Sequence, residues 1–244
     1  QKPRKRPGHR PLRRRNKAVP VYFVARFEKP FAQCGGWIGQ RVVELTDGAE
    51  DDKLEGRGAS GFVKYDVKEG DQLRMKVAIS YVSTEQARLN LETELPHWDF
   101  DRVLAESRDQ WNRWLGRFEV SGGTDDEKTR FYTDLWHVLL GRRTTSDVDG
   151  KYCDLTGEKP VIRQIPLDDD GKPLYDHFNT DAFWNTFWNV NIVWALGYPD
   201  VTRQWVSFLT DMYEDGGLIP RGPSGHSYTF VMISAHSTPF IVGA

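Results

Sequence analysis

The sequence predicts a mixed fold in which β-strands come first and helices follow. Three observations support this order: β-branched and aromatic runs dominate the first third of the chain, a helix-capping pattern begins at Ser83, and apolar residues later recur at helical spacing. We expect the end of an N-terminal β-sandwich over residues 18–82, a helical linker over 83–122, and part of a helical toroid or bundle over 123–244.

Three runs predict the β-region. Residues 21–27 mix β-branched and aromatic side chains, and Pro30 followed by Gly35-Gly36 is expected to close that strand. Residues 61–67 and the alternating 73–79 continue the pattern, with a turn at Glu69-Gly70-Asp71 between them. Because these strands are too few for two complete sheets, the sequence predicts only the last part of an antiparallel sandwich.

Capping patterns predict the start of each helix in the middle of the chain. Ser83-Thr-Glu-Gln86 is a capping box whose helix should run to about Glu94, and Asp99 should cap a longer helix. Thr124-Asp-Asp-Glu127 is a second capping box. In that third helix we expect four residues to face inward: Phe131, Leu135, Val138 and Leu139.

A long polar segment over residues 144–176 is predicted to be a loop, either functional or a cover over a site. It contains a hairpin-like turn, Asp168-Asp-Asp-Gly171. Asp147-Val-Asp-Gly150 resembles the start of a calcium loop, but the later ligands and the closing Glu are missing. An ordinary turn is therefore the favoured interpretation.

The stretch His177–Arg221 carries the candidate binding chemistry. It places four of the nine tryptophans among asparagines and carboxylates, a combination suited to a polar ligand with a flat apolar face, such as a sugar. A helix is predicted from Thr180 to Leu196, stopped by Gly197-Tyr-Pro199, and a second over residues 201–213. A further helix is expected after Val231.

Each candidate residue has an alternative structural role. Trp184 and Trp188 could stack on a pyranose or pack between helices, and Asp181 could bind sugar hydroxyls or favour the helix dipole. Arg221, after a Gly-Gly turn, could point into a cleft or form a surface ion pair. The predicted substrate-binding residues are Asp181, Trp184, Asn185, Trp188, Asn189 and Arg221.

Composition and motifs exclude several other classes. Residues 1–17 carry nine Lys or Arg and no acid, so with a total of −2 the remaining chain carries about −11. This leader could bind a polyanion, but a disordered, Pro-rich segment is favoured, and we expect no nucleic-acid or membrane partner. Two cysteines do not form a disulfide framework, the histidines lack zinc spacing, and neither a nucleophile elbow nor a signal peptide is recognisable.

Several segments together resemble the α-mannosidases of glycoside hydrolase family 92. They include Trp98-Asp-Phe-Asp101, Asp147-Val-Asp-Gly-Lys-Tyr152, Phe183-Trp-Asn-Thr-Phe187, Tyr213-Glu-Asp-Gly-Gly217 and Met232-Ile-Ser-Ala-His236. The resemblance implies a β-sandwich, a helical linker and an (α/α)6 barrel. It also implies calcium-dependent, inverting, exo-acting hydrolysis of mannose-containing glycans with α-1,2 linkages, in a periplasmic or extracellular location.

Two departures from the family pattern shape the expected function. Where the family often has Trp-Asp-Thr-aromatic-Arg, this chain has Trp184-Asn-Thr-Phe-Trp188, which leaves linkage specificity open. The family's acid-bearing Leu-Glu-Tyr and base-bearing Asn-Asp-Asp segments do not occur, so we expect the general acid, the base and the calcium ligands to lie outside this chain. The alternative is a non-catalytic carbohydrate-binding or scaffold protein.

Overall fold

The computed structural model describes residues 19–45, 54–179, 181–231 and 235–244; in them five strands precede the first helix, as predicted, and two further strands lie between helices. The basic leader over residues 1–17 lies outside these ranges. No helix in the described part of the chain is long and apolar enough to cross a membrane.

Two antiparallel sheets form the β-region. Strand β1 (Tyr22–Phe27) pairs with β5 (Met75–Ser80). In the other sheet, β2 (Gln33–Ile38) lies between β3 (Arg41–Leu45) and β4 (Ala59–Lys64). The first and last strands of the region are therefore neighbours, and the three intervening strands form a separate sheet.

The prediction that Gly35-Gly36 ends a strand is wrong, because both glycines are buried inside β2. A Cβ atom on Gly36 would lie 2.4 Å from the carbonyl oxygen of Ser60 in β4, so the close pairing of the two strands requires glycine there. The turn predicted at residues 69–71 exists, with the Asp71 amide donating to the Lys68 carbonyl. This turn connects β4 to β5, which belong to different sheets, so it is not a hairpin turn.

Three capped helices follow, and all three predicted caps are confirmed: α1 (Thr84–Glu94), α2 (Phe100–Leu115) and α3 (Asp125–Leu140). The Thr124 and Glu127 side chains and backbones bond reciprocally, which is a complete capping box. At α1 only half of the box forms. Ser83 accepts from the Gln86 amide, but the Gln86 side chain donates to Asp149 instead of reaching back.

Asn90 of α1 joins the β-region to the helical region. Its side-chain amide donates to the Ile79 carbonyl at 3.0 Å and to Asp147 Oδ1 at 2.7 Å, and its oxygen accepts from the Val148 amide at 3.0 Å. Ser80 Oγ donates to the other oxygen of Asp147 at 2.8 Å. One buried asparagine and one buried aspartate therefore fix β5, α1 and the turn after α3 relative to one another.

The polar segment predicted to be a loop contains a β-hairpin. Strands β6 (Lys151–Asp154) and β7 (Val161–Gln164) pair antiparallel, which corrects the prediction of an irregular segment. Three of the four β6 residues are buried, although two of the four are charged. The predicted turn at residues 168–171 is confirmed by a hydrogen bond from the Gly171 amide to the Asp168 carbonyl.

The stretch His177–Arg221, called the aromatic stretch below, forms two short helices and one long one. The predicted helix from 180 to 196 is interrupted, with α4 (Phe183–Thr186) and α5 (Val190–Gly197) separated by three residues. Helix α6 (Pro199–Gly216) confirms the second prediction, and Gly217, with φ +80°, provides its left-handed cap. The last helix, α7 (Ser237–Gly243), is shorter than predicted, and residues 232–234 lie outside the described ranges.

The main core lies among α3, α5, α6 and α7. Phe131 does not contribute to it as predicted, because its side chain is 38% exposed, whereas Leu135 and Leu139 are buried. Most of the core comes from the aromatic stretch. Besides Leu135 and Leu139, the buried members of the core are Phe178, Phe183, Trp194, Tyr198, Val201, Trp205, Phe208, Leu209, Met212 and Phe240.

Candidate functional site

Four of the six predicted substrate-binding residues are exposed along one short segment. Trp184 is 42% exposed and Trp188 is 73% exposed, and the intervening Asn185 and neighbouring Asn189 are also exposed. We call these four residues the aromatic wall. Exposed indoles beside amides offer an apolar surface together with hydrogen-bond donors and acceptors, which is the chemistry of sugar binding.

The aromatic wall does not follow one continuous helix. Because α4 ends at Thr186, the helical spacing that places Trp184 and Trp188 on one face does not apply to these residues. Trp188 lies in the turn before α5, and its ring meets that of Phe187 edge-on at a centroid distance of 5.9 Å. The segment therefore presents its indoles from a helical turn and a reverse turn.

Asp181, by contrast, belongs to a buried ion pair. It is 6% exposed, and its Oδ2 accepts from Arg142 Nε at 2.9 Å and from Nη2 at 2.8 Å. Its Oδ1 accepts from Thr186 Oγ1 at 2.9 Å, which ties the carboxylate to the last residue of α4. These contacts give Asp181 the geometry of an anchor beneath the aromatic wall.

Arg142 is held in an aromatic box. Its guanidinium lies 5.1 Å from the ring centroids of Trp194, Trp205 and Phe240, and Nη2 also donates to Asn191 Oδ1. Burial lowers the pKa of Arg142, while Asp181 acts in the opposite direction. The facing ring surfaces and the carboxylate together offset the cost of burying this cation.

Arg221 is positioned by the glycine that follows it. Arg221 is exposed, and Gly222 is buried against the start of the aromatic wall. A Cβ atom on Gly222 would lie 3.0 Å from the Asp181 carbonyl oxygen and 4.0 Å from the Ala182 Cα. The loop therefore passes directly over the backbone before α4, so the structure brings Arg221 and Asp181 into the same neighbourhood.

A buried histidine network lies beneath the β6–β7 hairpin. His177 Nε2 is 2.6 Å from Asp211 Oδ2, and His226 Nε2 is 3.2 Å from Asp215 Oδ2. The two imidazoles stack at a centroid distance of 4.9 Å with an interplanar angle of 3°. Tyr152 donates to Asp215 at 2.9 Å, and burial followed by the Asp215 charge raises the pKa of this phenol. The network ties α6 to two loops.

Part of this network has the residue types of a metal site but does not fit calcium. Asp154, Asp215 and His226 each offer a ligand atom, all within 4.8 Å of one another. However, Arg163 Nε lies 2.9 Å from Asp154 and 3.0 Å from Asp215, so a guanidinium already neutralises both carboxylates. Calcium also prefers six to eight oxygen ligands, whereas this group includes an imidazole.

The turn over residues 147–150 is an ordinary structural turn. The Gly150 amide donates to the Asp147 carbonyl at 2.8 Å. Asp147 accepts from Ser80 and Asn90, and Asp149 accepts from Lys151 Nζ at 2.6 Å. Burial raises the pKa of Asp147. Since these carboxylates bond to protein donors, the structure favours the turn over the calcium-loop interpretation.

Comparison with known proteins assigns the family. Residues 86–244, well over half of the chain, match the glycosyl hydrolase family 92 catalytic domain. The fold and the match define a segment of a glycoside hydrolase. The chain belongs to glycosyl hydrolase family 92.

Two solved structures share the fold of this chain. A family GH92 inverting mannosidase from Bacteroides thetaiotaomicron is 25% identical, with a TM-score of 0.74 over 93% of this chain. A GH92 α-mannosidase from the same species shares the fold at 21% identity, with a TM-score of 0.74 over 90% of this chain.

The chain spans only a small part of its relatives. It covers 29% of each of these two solved chains. A protein from Arthroderma benhamiae described as an uncharacterized secreted glycosidase is 27% identical over 107 residues, which is 42% of this chain and 12% of that protein.

Proposed function

We propose that this chain is one part of an exo-acting α-mannosidase that releases terminal mannose from glycans with inversion of configuration. The observation that carries the proposal is the match of residues 86–244 to the family 92 catalytic domain. Two structural neighbours are themselves described as mannosidases, one of them inverting. A preference for α-1,2 linkages is part of the same proposal.

In this proposal the aromatic wall contacts the sugar. The Trp184 and Trp188 indoles supply flat apolar surface, and Asn185 and Asn189 supply donors and acceptors for hydroxyl groups. Asp181 acts on the aromatic wall from below, through Thr186. Arg221, on the loop that crosses the start of α4, provides a cationic donor at its edge. Contact between these residues and mannose is our inference from exposure and residue type.

The catalytic carboxyl groups are proposed to lie outside this chain. Inversion requires two carboxyl groups about 6.5 to 9.5 Å apart across the scissile bond. The aromatic wall itself has none, Asp181, the carboxylate nearest to it in sequence, is engaged by Arg142, and Asp215 is engaged by Tyr152 and Arg163. We therefore assign the described residues to substrate binding and structural support.

The remaining expectations belong to the whole protein. We propose that residues 18–82 form the end of a β-sandwich, 83–122 a linker, and 123–244 the first part of an (α/α)6 barrel. Calcium, where it serves the reaction, would take its ligands from outside this chain, because the candidate group around Asp215 does not fit it. A periplasmic or extracellular location accompanies the proposal.

A binding experiment tests the role of the aromatic wall. Titration of the 244-residue chain with mannose, followed by NMR, should show saturable binding that Trp188→Ala weakens roughly tenfold or more, because an aromatic contact contributes on the order of 1.4 kcal/mol. Phe100→Ala is the control, since Phe100 is a similarly exposed ring at 65% in α2. Equal affinity in wild type and Trp188→Ala would remove the aromatic wall from the proposal.

A second candidate function is carbohydrate binding without catalysis. It is favoured by one observation: Asn185 and Trp188 occupy the places where the family often has an acid and an arginine. An α-mannoside hydrolysis assay on the longest polypeptide containing this chain distinguishes the two functions. Binding without turnover would support the second, and turnover would support the first.

A further inference from the structure

A cavity of about 330 Å³ lies between helices α2, α3, α5 and α6. None of the four residues of the aromatic wall lines it. Its size is at the low end of the range for small-molecule sites. A larger groove of about 570 Å³ runs along α3, but none of its lining residues is buried. The smaller cavity is the one with enclosed polar and aromatic groups.

Three indoles line this cavity, and one of them is available as a stacking surface. Trp114 lies 4.9 Å from the Arg117 guanidinium, and Trp194 lies 5.1 Å from that of Arg142. Trp111 has one ring contact among the described residues, a tilted approach to Trp136 at 6.1 Å, and it packs in part against the main core. Because Trp111 is only half-buried and lines the cavity, the uncovered part of its ring can contact a ligand.

The charges around the cavity are largely compensated. Arg142 pairs with Asp181, and Asp200 forms a two-point contact with Arg117 at 2.7 and 3.0 Å. Asp176 accepts from Ser146 Oγ at 3.4 Å, and no described Lys or Arg lies within 4 Å of it. Burial raises the pKa of Asp176, which favours its uncharged form.

This arrangement disfavours charged ligands of either sign. Because Arg142 and Asp200 already have partners of opposite charge and burial favours the uncharged form of Asp176, no unpaired charge remains in the described lining to offset the desolvation of an ion. Hydrogen-bonding capacity nevertheless remains. Gln110 and Gln204 contribute amides, and two lining residues, Arg142 and Trp194, each have a buried nitrogen without a partner in the described part of the chain.

We propose that this cavity is a second carbohydrate site, which takes a neutral, polyhydroxylated ring of hexose size. The ring stacks on Trp111, and its hydroxyl groups exchange hydrogen bonds with Gln110, Gln204 and Asp176. The inference does not depend on the proposed hydrolase function, because it rests on the chemistry of a different set of residues.

The test uses the 244-residue chain carrying Trp188→Ala, so that the aromatic wall does not contribute. Saturation-transfer NMR is recorded with D-mannose, with D-glucuronate as an anionic probe and with tetramethylammonium as a cationic probe. We expect saturable mannose binding in this background and at least tenfold weaker binding of both charged probes. Adding Trp111→Ala should weaken mannose binding roughly tenfold or more, and Gln110→Ala about three- to tenfold.

Gln110 is exposed, so its replacement decides the question even where Trp111→Ala fails to fold. Far-UV circular dichroism verifies the fold of each variant. The inference is overturned by absence of saturable mannose binding in the Trp188→Ala background, by binding that both added substitutions leave unchanged, or by tighter binding of a charged probe. Failure of the aromatic wall appears separately, as a lack of effect of Trp188→Ala on mannose binding by a chain that already carries Trp111→Ala or Gln110→Ala.

Discussion

Breaking the ion pair between Arg142 and Asp181 should destabilise the chain strongly. Both side chains are at most 3% exposed and lie 2.8 Å apart. Removing one member of such a pair leaves an uncompensated buried charge and typically costs about 3 to 5 kcal/mol. We therefore expect Asp181→Asn, which keeps the shape of the side chain, to lower the free energy of unfolding by about that amount.

The assay is urea and thermal unfolding followed by circular dichroism. For a domain of this size, a loss of 3 to 5 kcal/mol corresponds to a fall in melting temperature of roughly 6 to 20 °C. Glu106→Gln is the matched control, because the Arg102–Glu106 pair has the same residue classes at 2.7 Å but is 60% and 55% exposed. Its loss should cost no more than about 0.5 kcal/mol.

A double-mutant cycle separates the pair from its surroundings. Arg142→Met and Asp181→Leu should each be about as damaging as Asp181→Asn, whereas the two combined should recover much of the loss, because neither charge is then buried alone. A change of less than about 1 kcal/mol for Asp181→Asn, accompanied by weaker mannose binding, would refute the anchor role and favour direct sugar contact.

Two further predictions concern the supports of the site. Asn90→Ala should lower the free energy of unfolding by about 1 to 3 kcal/mol, because it removes one hydrogen bond to buried Asp147 and two part-buried hydrogen bonds to the backbone of Ile79 and Val148. Asn112→Ala, on the exposed face of α2, should be nearly neutral in the same urea titration. Burial also lowers the pKa of His177, so the unfolded chain binds a proton more readily than the folded chain and stability should fall as pH drops from about 7 to 5. His177→Gln should flatten that slope and His137→Gln, at an exposed position, should preserve it; equal slopes in both variants would contradict the assignment.

The starts of the three helices α1, α2 and α3 were predicted correctly, because a helix-capping motif consists of residues at most three positions apart in the sequence. Thr124 and Glu127, for example, form the predicted box by themselves. Strand β2 was missed because Gly35 and Gly36 are turn residues by composition, and only their packing against β3 and β4 explains them. The same limit applies to the strands β6 and β7, where charged residues obscure the alternation.

The candidate site was predicted only in its exposed part. Trp184 and Trp188 stand out because indoles next to asparagines are unusual in a core. Arg142 was missed because its partner Asp181 lies 39 residues away, and an arginine after a helix usually indicates solvent. The network of His177 and His226 similarly depends on contacts with α6 that spacing alone does not reveal.

The central claim is that this chain supplies a sugar-binding surface whose catalytic carboxyl groups lie elsewhere in the enzyme. The most direct test is incubation of the purified 244-residue chain with an α-1,2-linked mannobioside, with free mannose followed by NMR of its anomeric proton. We predict no release above the buffer control, while mannose still binds and Trp188→Ala weakens that binding. Sustained release of mannose by the isolated chain would contradict the placement of the catalytic groups.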